Sequence, residues 1–258
     1  MFLLILLGVL VVGSIHAQNT SPYHMAFKRD VTYLGGGVVV TGLGYFLRTT
    51  TADLTISQLD LEEINRFDKI ATTYSSKSAA KLSNVALCTS LLAPMLLLSG
   101  RETRHNFDRI SLLFVETMLL NQGITEVIKS SVLRPRPYVS DGRLDPNTVL
   151  SSNDRASFLS GHTASSAAST FFAAKVYCDY FPHSKLKPYV WGLASVYPAF
   201  TGYLRVRSGK HFPTDVVAGY FLGAGIGLLI PSLHKKKIKV KDLKIDVGLS
   251  SLSLAYRI

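Results

Sequence analysis

Six apolar segments recur along the chain: 31–47 (VTYLGGGVVVTGLGYFL), 84–100 (NVALCTSLLAPMLLLSG), 110–128 (ISLLFVETMLLNQGITEVI), 163–177 (TASSAASTFFAAKVY), 189–204 (YVWGLASVYPAFTGYL) and 215–230 (DVVAGYFLGAGIGLLI). They are too long for strands and rich in helix formers, so each predicts a helix. The fold expected is all-α, a helical bundle of about six core helices. Most segments are shorter than the roughly 20 residues that span a bilayer comfortably. Glu116, Asn121, Gln122 and Glu126 also interrupt the third. Pattern alone therefore leaves a soluble bundle open beside a membrane-embedded one. In the sixth segment Gly219, Gly223 and Gly227 recur every four residues. That spacing lines one helix face with small residues and predicts close approach by a neighbouring helix.

The polar stretches between the segments favour the membrane. RETRHNFDR (101–109), KLK (185–187) and HKKKIKVKDLK (234–244) follow the second, fourth and sixth segments. If they share one side, the positive-inside rule places that side in the cytoplasm. The opposite helix ends carry Lys129–Pro137, Ser160–His162 and Arg205–Asp215, which then face outward. Composition agrees: 47% of residues are apolar and 17% charged, against about 25% charged in soluble domains. A net charge of +11 calls for an anionic partner. Nucleic acid is set aside, because no aromatic platform interleaves the basic residues. An anionic membrane or a phosphorylated substrate remains.

The termini add less. Residues 1–17 have a short apolar core and end on Ala17, as a secretory signal peptide does, although no Lys or Arg precedes the core. They are read as a signal peptide cleaved after Ala17 or as an N-terminal anchor. Residues 234–258 read as a basic tail with a short strand or hairpin. Cys88 and Cys178 fit no metal-ligand spacing and are expected to be buried free thiols.

Three polar clusters carry candidate chemistry. In the last, Pro213 suits the first turn of a helix, and Asp215 lies four residues after His211. Asp215 is expected to accept a hydrogen bond from one ring nitrogen of His211, leaving the other free as a nucleophile. Ser160 and Gly161 precede the fourth helix, whose amino terminus suits an anion. His162 stands at its mouth. Lys129 and Arg136 follow the third helix, and an arginine fork matches phosphate oxygens two at a time. Taken singly, these clusters also read as a helix cap, an N-cap and membrane-flanking charge. Together with Arg205 they are equipment for holding a tetrahedral oxyanion.

The chain resembles the type 2 phosphatidic acid phosphatase superfamily, which includes vanadium haloperoxidases and bacterial acid phosphatases. Its signature is K-x6-R-P, P-S-G-H and S-R-x5-H-x3-D. Here it reads Lys129 to Arg136-Pro137, Leu159-Ser160-Gly161-His162, and Leu204-Arg205 with His211 and Asp215. Leu159 replaces Pro and Leu204 replaces Ser. The resemblance implies a metal-independent phosphatase of residues 18–233, needing no cofactor. It would act on a phosphorylated lipid or other phosphate ester. His211 would form a phosphohistidine, Asp215 would orient it, and His162 would serve as acid and then base. Lys129, Arg136, Arg205, Ser160 and Gly161 would bind phosphate. The expected setting is the inner membrane of a bacterial-type envelope with the site facing the periplasm. The alternatives are a soluble periplasmic acid phosphatase, a vanadate-dependent haloperoxidase, and a non-catalytic protein that binds anionic lipid. The polar loop 138–157 is expected to roof the site.

Overall fold

A computed structural model of the chain describes residues 21–59, 64–142, 144–236, 243–248 and 251–256. The expected signal peptide or anchor, 1–17, lies outside the described residues. Seven α-helices are present among those described: α1 (Phe27–Thr49), α2 (Lys77–Leu91), the short α3 (Arg101–His105), α4 (Phe107–Val132), α5 (Gly161–Tyr180), α6 (Lys187–Arg207) and α7 (Pro213–His234). The chain is all-α in its body, and each of the six long helices contains or overlaps one of the six apolar segments. Two short strands follow, β1 (Leu243–Gly248) and β2 (Ser251–Tyr256), paired antiparallel with Gly248 opposite Ser251.

The six long helices alternate in direction. α1, α4 and α6 run towards one end, which we call the site end; α2, α5 and α7 run back. The amide of His24, before α1, donates to the carbonyl of His234 at the close of α7 (2.8 Å). At the site end, Arg48 of α1 meets Glu126 of α4 (3.0 Å), and the amide of Ser76 donates to the carbonyl of Arg207 (3.1 Å). The stretches 101–109 and 185–187 and the start of the basic tail share the remote end, where Lys235 pairs with Asp179 (2.5 Å).

The glycine ladder of α7 packs on α5. A Cβ on Gly219, Gly223 or Gly227 would stand 2.6, 2.0 or 2.5 Å from the carbonyl oxygens of Ser160, Ala164 and Ala168. A four-residue period on one helix thus meets the same period on the other, and no side chain fits between them. This contact fixes the amino terminus of α5 against the start of α7.

The core is divided. Leu97, Ile110, Leu113, Phe172, Val176 and Ile230 form an apolar cluster towards the remote end. The site-end half of α5 instead buries Ser160, Thr163, Ser165, Ser166 and Ser169. The polar residues that interrupt the third segment point inward: Asn121 donates to Ser165 Oγ (3.2 Å) and Gln122 to Glu126 Oε1 (2.8 Å). Outward, the bundle is apolar. Phe46, Leu96, Val196 and Phe221 are each more than half exposed, and soluble monomers rarely present so broad an apolar surface. Lys77–Ser99 and Pro213–His234 are long and apolar enough to cross a membrane. The cysteines are free, but the expectation of burial is corrected: Cys88 is exposed and Cys178 partly so. The outer face of α2, where Val85 and Leu92 are also exposed, explains Cys88.

Candidate active site

The three signature clusters meet at the site end. Lys129 sits in the last turn of α4, which Leu133 ends in a left-handed conformation (φ 49°). The chain then turns through Pro135, and the Arg136 amide is held by the Asp154 carbonyl (2.8 Å). The Arg136 guanidinium donates from Nε to the Asn153 carbonyl (2.8 Å) and from Nη1 to the Lys210 carbonyl (2.9 Å). The loop 138–157 therefore grips Arg136. Tyr138, Asp141 and Leu144 of this loop, with Ser75, Lys77 and Lys210, line a cavity of about 280 Å³ beside the site.

His211 is almost fully buried. Its Nδ1 lies 2.7 Å from the carbonyl oxygen of Ser157. A carbonyl only accepts, so Nδ1 carries the proton and Nε2 presents its lone pair. Nε2 is 3.3 Å from Arg136 Nη1, which only donates. Burial, then the charges of Arg136, Arg205 and Lys129, hold the His211 pKa well below the usual 6.5. The neutral ring is favoured, and the nearest cation to its lone-pair nitrogen is Arg136. Gly209 makes this turn possible. Its φ of +66° suits glycine, and a Cβ there would meet the Tyr74 carbonyl oxygen at 2.2 Å.

The expected hydrogen bond from His211 to Asp215 is corrected. Asp215 Oδ2 is 3.7 Å from Nδ1, and the Ser157 carbonyl takes its place. Other donors occupy the carboxylate. Oδ2 accepts from Ser157 Oγ (2.6 Å) and from the Phe212 amide at the start of α7 (2.8 Å); Oδ1 accepts from Arg134 (2.6 Å). Ser157 thus contacts both residues, its hydroxyl on Asp215 and its carbonyl on His211. Arg134 also bonds Asp68 (2.7 Å) and Thr214 (2.9 Å), and its guanidinium stacks 4.0 Å over the Phe212 ring. Asp68 is fully buried, and its hydrogen bonds from Arg134, Thr214 and Asn65 outweigh burial and hold its pKa below the usual value.

His162, in the first turn of α5, sits 2.8 Å from Asn84 Oδ1 through Nε2. Nε2 donates there, which leaves the Nδ1 lone pair without that partner. The charges of Arg205, Lys129 and Arg136 reach this ring as well. Lys129 Nζ lies 3.3 Å from where a Cβ of Gly161 would stand, so an anion at this helix start meets an ammonium directly. Arg205 is buried, bonds Ser83 Oγ from Nη1 (3.2 Å), and leaves Nε without a partner. Ser160 is fully buried, and its hydroxyl caps α5, pairing with Thr163 Oγ1 (2.9 Å) and accepting from the Thr163 amide. Its hydroxyl contact is with the helix rather than with the open side of the site. Arg207 and Lys210 lie over the rings of Tyr74 (4.4 Å) and Tyr138 (4.5 Å).

Five residues of the site carried no sequence signal strong enough to name them. Ser83 and Asn84 come from α2, ahead of the signature. Ser157 contributes a backbone carbonyl, which any residue type supplies. Asp68 lies in a remote loop. Arg134 sits inside the first cluster two residues before Arg136, and its charge beside two prolines was the available cue.

The PAP2 superfamily matches residues 111–239, half of the chain. No curated protein sequence matches the chain. Among solved structures, the chain is similar to the first transmembrane PAP2 type phosphatidylglycerolphosphate phosphatase from Bacillus subtilis. That similarity has 20% identity and a TM-score of 0.45, and covers 79% of this chain and 94% of the other. With the matched stretch spanning all three signature clusters, the chain belongs to the PAP2 superfamily, as a phosphoric-ester hydrolase.

Proposed function

We propose that this phosphatase hydrolyses a phosphate monoester or diphosphate of a lipid, through a phosphohistidine and without a metal at the reacting phosphate. One observation carries the reading: a neutral, buried His211 has its lone-pair nitrogen facing Arg136, with Arg205 and Lys129 adding their charge. A phosphate dianion is attracted to this place, and a neutral imidazole there is a ready nucleophile. Nε2 of His211 attacks phosphorus as the bond to the departing oxygen breaks. Nδ1 of His162 gives that oxygen a proton. The bound dianion offsets the surrounding cations, so His162 can hold the proton it must transfer. His162 then takes a proton from water as the water attacks the phosphohistidine, and inorganic phosphate leaves with Nε2 restored. Lys129, Arg136, Arg205 and the first amides of α5 neutralise the equatorial oxygens, the task that metal ions perform in other phosphoryl-transfer sites.

The apolar outer surface supports a bundle embedded in a membrane, with the site at its outer boundary and the basic remote end in the cytoplasm. A lipid phosphate would reach such a site without leaving the bilayer. The cavity beside it, with Lys77, Lys210 and several hydroxyls, would hold the polar headgroup. Phosphate release from a panel of lipid phosphates in detergent tests the reading. We expect activity that survives chelator, is blocked by vanadate and is lost in His211→Ala. A requirement for added Mg²⁺, or activity retained by His211→Ala, would overturn it.

A further inference from the structure

A second polar cluster is buried at the remote end, away from the phosphatase centre. It joins Asp30 in the first turn of α1, Glu116 in α4 and His234, the last residue of α7. His234 Nδ1 lies 2.8 Å from the Ile230 carbonyl and donates to it. Nε2 therefore points at the carboxylates, 3.2 Å from Asp30 Oδ1 and 3.2 Å from Glu116 Oε2. Glu116 is fully buried, and neither of its oxygens has a hydrogen-bond partner. Asp30 also accepts from the Ala26 amide (2.9 Å) and from Arg29 Nε (3.2 Å). The Tyr33 ring closes one side, 5.9 Å from the imidazole.

Two carboxylates facing Nε2 call for positive charge at that point, either a proton on Nε2 that donates to Asp30 Oδ1 or a metal ion between the three groups. Two ligand bonds of about 2.0–2.2 Å at the tetrahedral angle put their donor atoms about 3.3–3.5 Å apart. The two 3.2 Å separations are close to that value, and one donor atom from each of the three residues lies within 4.8 Å of the others. We propose that Asp30, Glu116 and His234 bind a divalent transition-metal ion, with Zn²⁺ the best fit and water in the fourth position. An imidazole nitrogen in the donor set favours Zn²⁺ over Mg²⁺ or Ca²⁺, which take oxygen ligands. The Nδ1–H···O bond to Ile230 is the outer-shell contact that usually fixes a metal-ligating histidine. The ion clamps α1, α4 and α7 together. The site stands whether or not the phosphohistidine mechanism holds.

The test uses the full chain in detergent. Purified protein is analysed for metal, depleted with a competing chelator, and titrated with Zn²⁺ or Co²⁺. We expect about one Zn²⁺ per chain, the visible absorption of four-coordinate Co²⁺, and a rise in Tm of about 5 °C or more on adding Zn²⁺ to depleted protein. Glu116→Gln and His234→Gln should lose both responses. If depleted wild type shows neither the Co²⁺ absorption nor the Tm shift, the cluster is an imidazolium ion pair and the proposal fails. It fails equally if both variants keep the responses, since the metal would then bind elsewhere.

Discussion

Helix α7 has a buried histidine at each end, and the two stand in opposite fields. His211, just before the helix, faces Arg136, Arg205 and Lys129. His234, its last residue, faces Asp30 and Glu116. Each sets its ring in the same way, with Nδ1–H on a backbone carbonyl and Nε2 turned to the charged neighbours. Cations around a neutral imidazole make a place for an anion and a nucleophile to attack it. Anions around an imidazole make a place for a cation. One side chain and one hydrogen-bond device thus stand in two opposite settings, decided by the charges supplied by neighbouring helices.

The comparison can be broken most severely at Arg134. Its guanidinium holds both Asp215 and Asp68, whose side chains are fully buried. Arg134→Ala leaves those carboxylates without their cation, at an expected cost of about 3–5 kcal/mol. Thermal unfolding should show a large fall in Tm, with Arg134→Lys recovering part of it. Arg136→Ala acts on the field itself. Loss of one donor at the reacting phosphate should lower kcat/KM by about 10²–10³-fold, with a small change in Tm.

The pH profile reads the same field. In the proposed mechanism the nucleophile is the neutral form of His211, whose pKa lies below 6.5, so activity is expected above that lowered pKa. With an activated substrate such as p-nitrophenyl phosphate, kcat/KM should stay level as pH falls through 6.5 and break only well below it. Residual activity of Arg136→Ala should break nearer 6.5. The same shift has a cost in stability: below about 6.5 the unfolded chain binds a proton at this residue that the folded chain refuses, so folding weakens as pH falls. A break at or above 6.5 in the wild type would remove the field from the account. The smallest effect on activity is expected at Ser157, whose hydroxyl links Asp215 to the carbonyl that orients His211. Ser157→Ala removes a buried hydrogen bond to a carboxylate and should cost about 1.5–3 kcal/mol of stability, with a modest loss of kcat and KM little changed.

Much of this was legible in the sequence. Apolar segments of 15 residues or more predict helices because few other structures bury them, and the four-residue glycine spacing predicts its own partner face. Lys129, Arg136, His162, Arg205 and His211 could be named because their chemistry and spacing are both specific. The direct hydrogen bond from His211 to Asp215 does not form, for a local reason: position four after His211 predicts reach, but it does not predict that the Phe212 amide, Ser157 and Arg134 already occupy the carboxylate. Ser160 shows the same limit, since a helix-capping serine and a phosphate-binding serine look alike until Thr163 is seen to pair with it. The His234 cluster draws on residues 30, 116 and 234, and no local pattern connects them.

The central claim is that His211 Nε2 becomes bonded to phosphorus. Rapid acid-free quench of His162→Ala with an activated phosphate ester tests it directly, because the ester needs no acid to leave and the missing base slows release. The account predicts a phosphoryl group, stable to alkali and labile to acid, mapped by mass spectrometry to the peptide containing His211. Turnover without any such adduct, or an adduct on another residue, would contradict it.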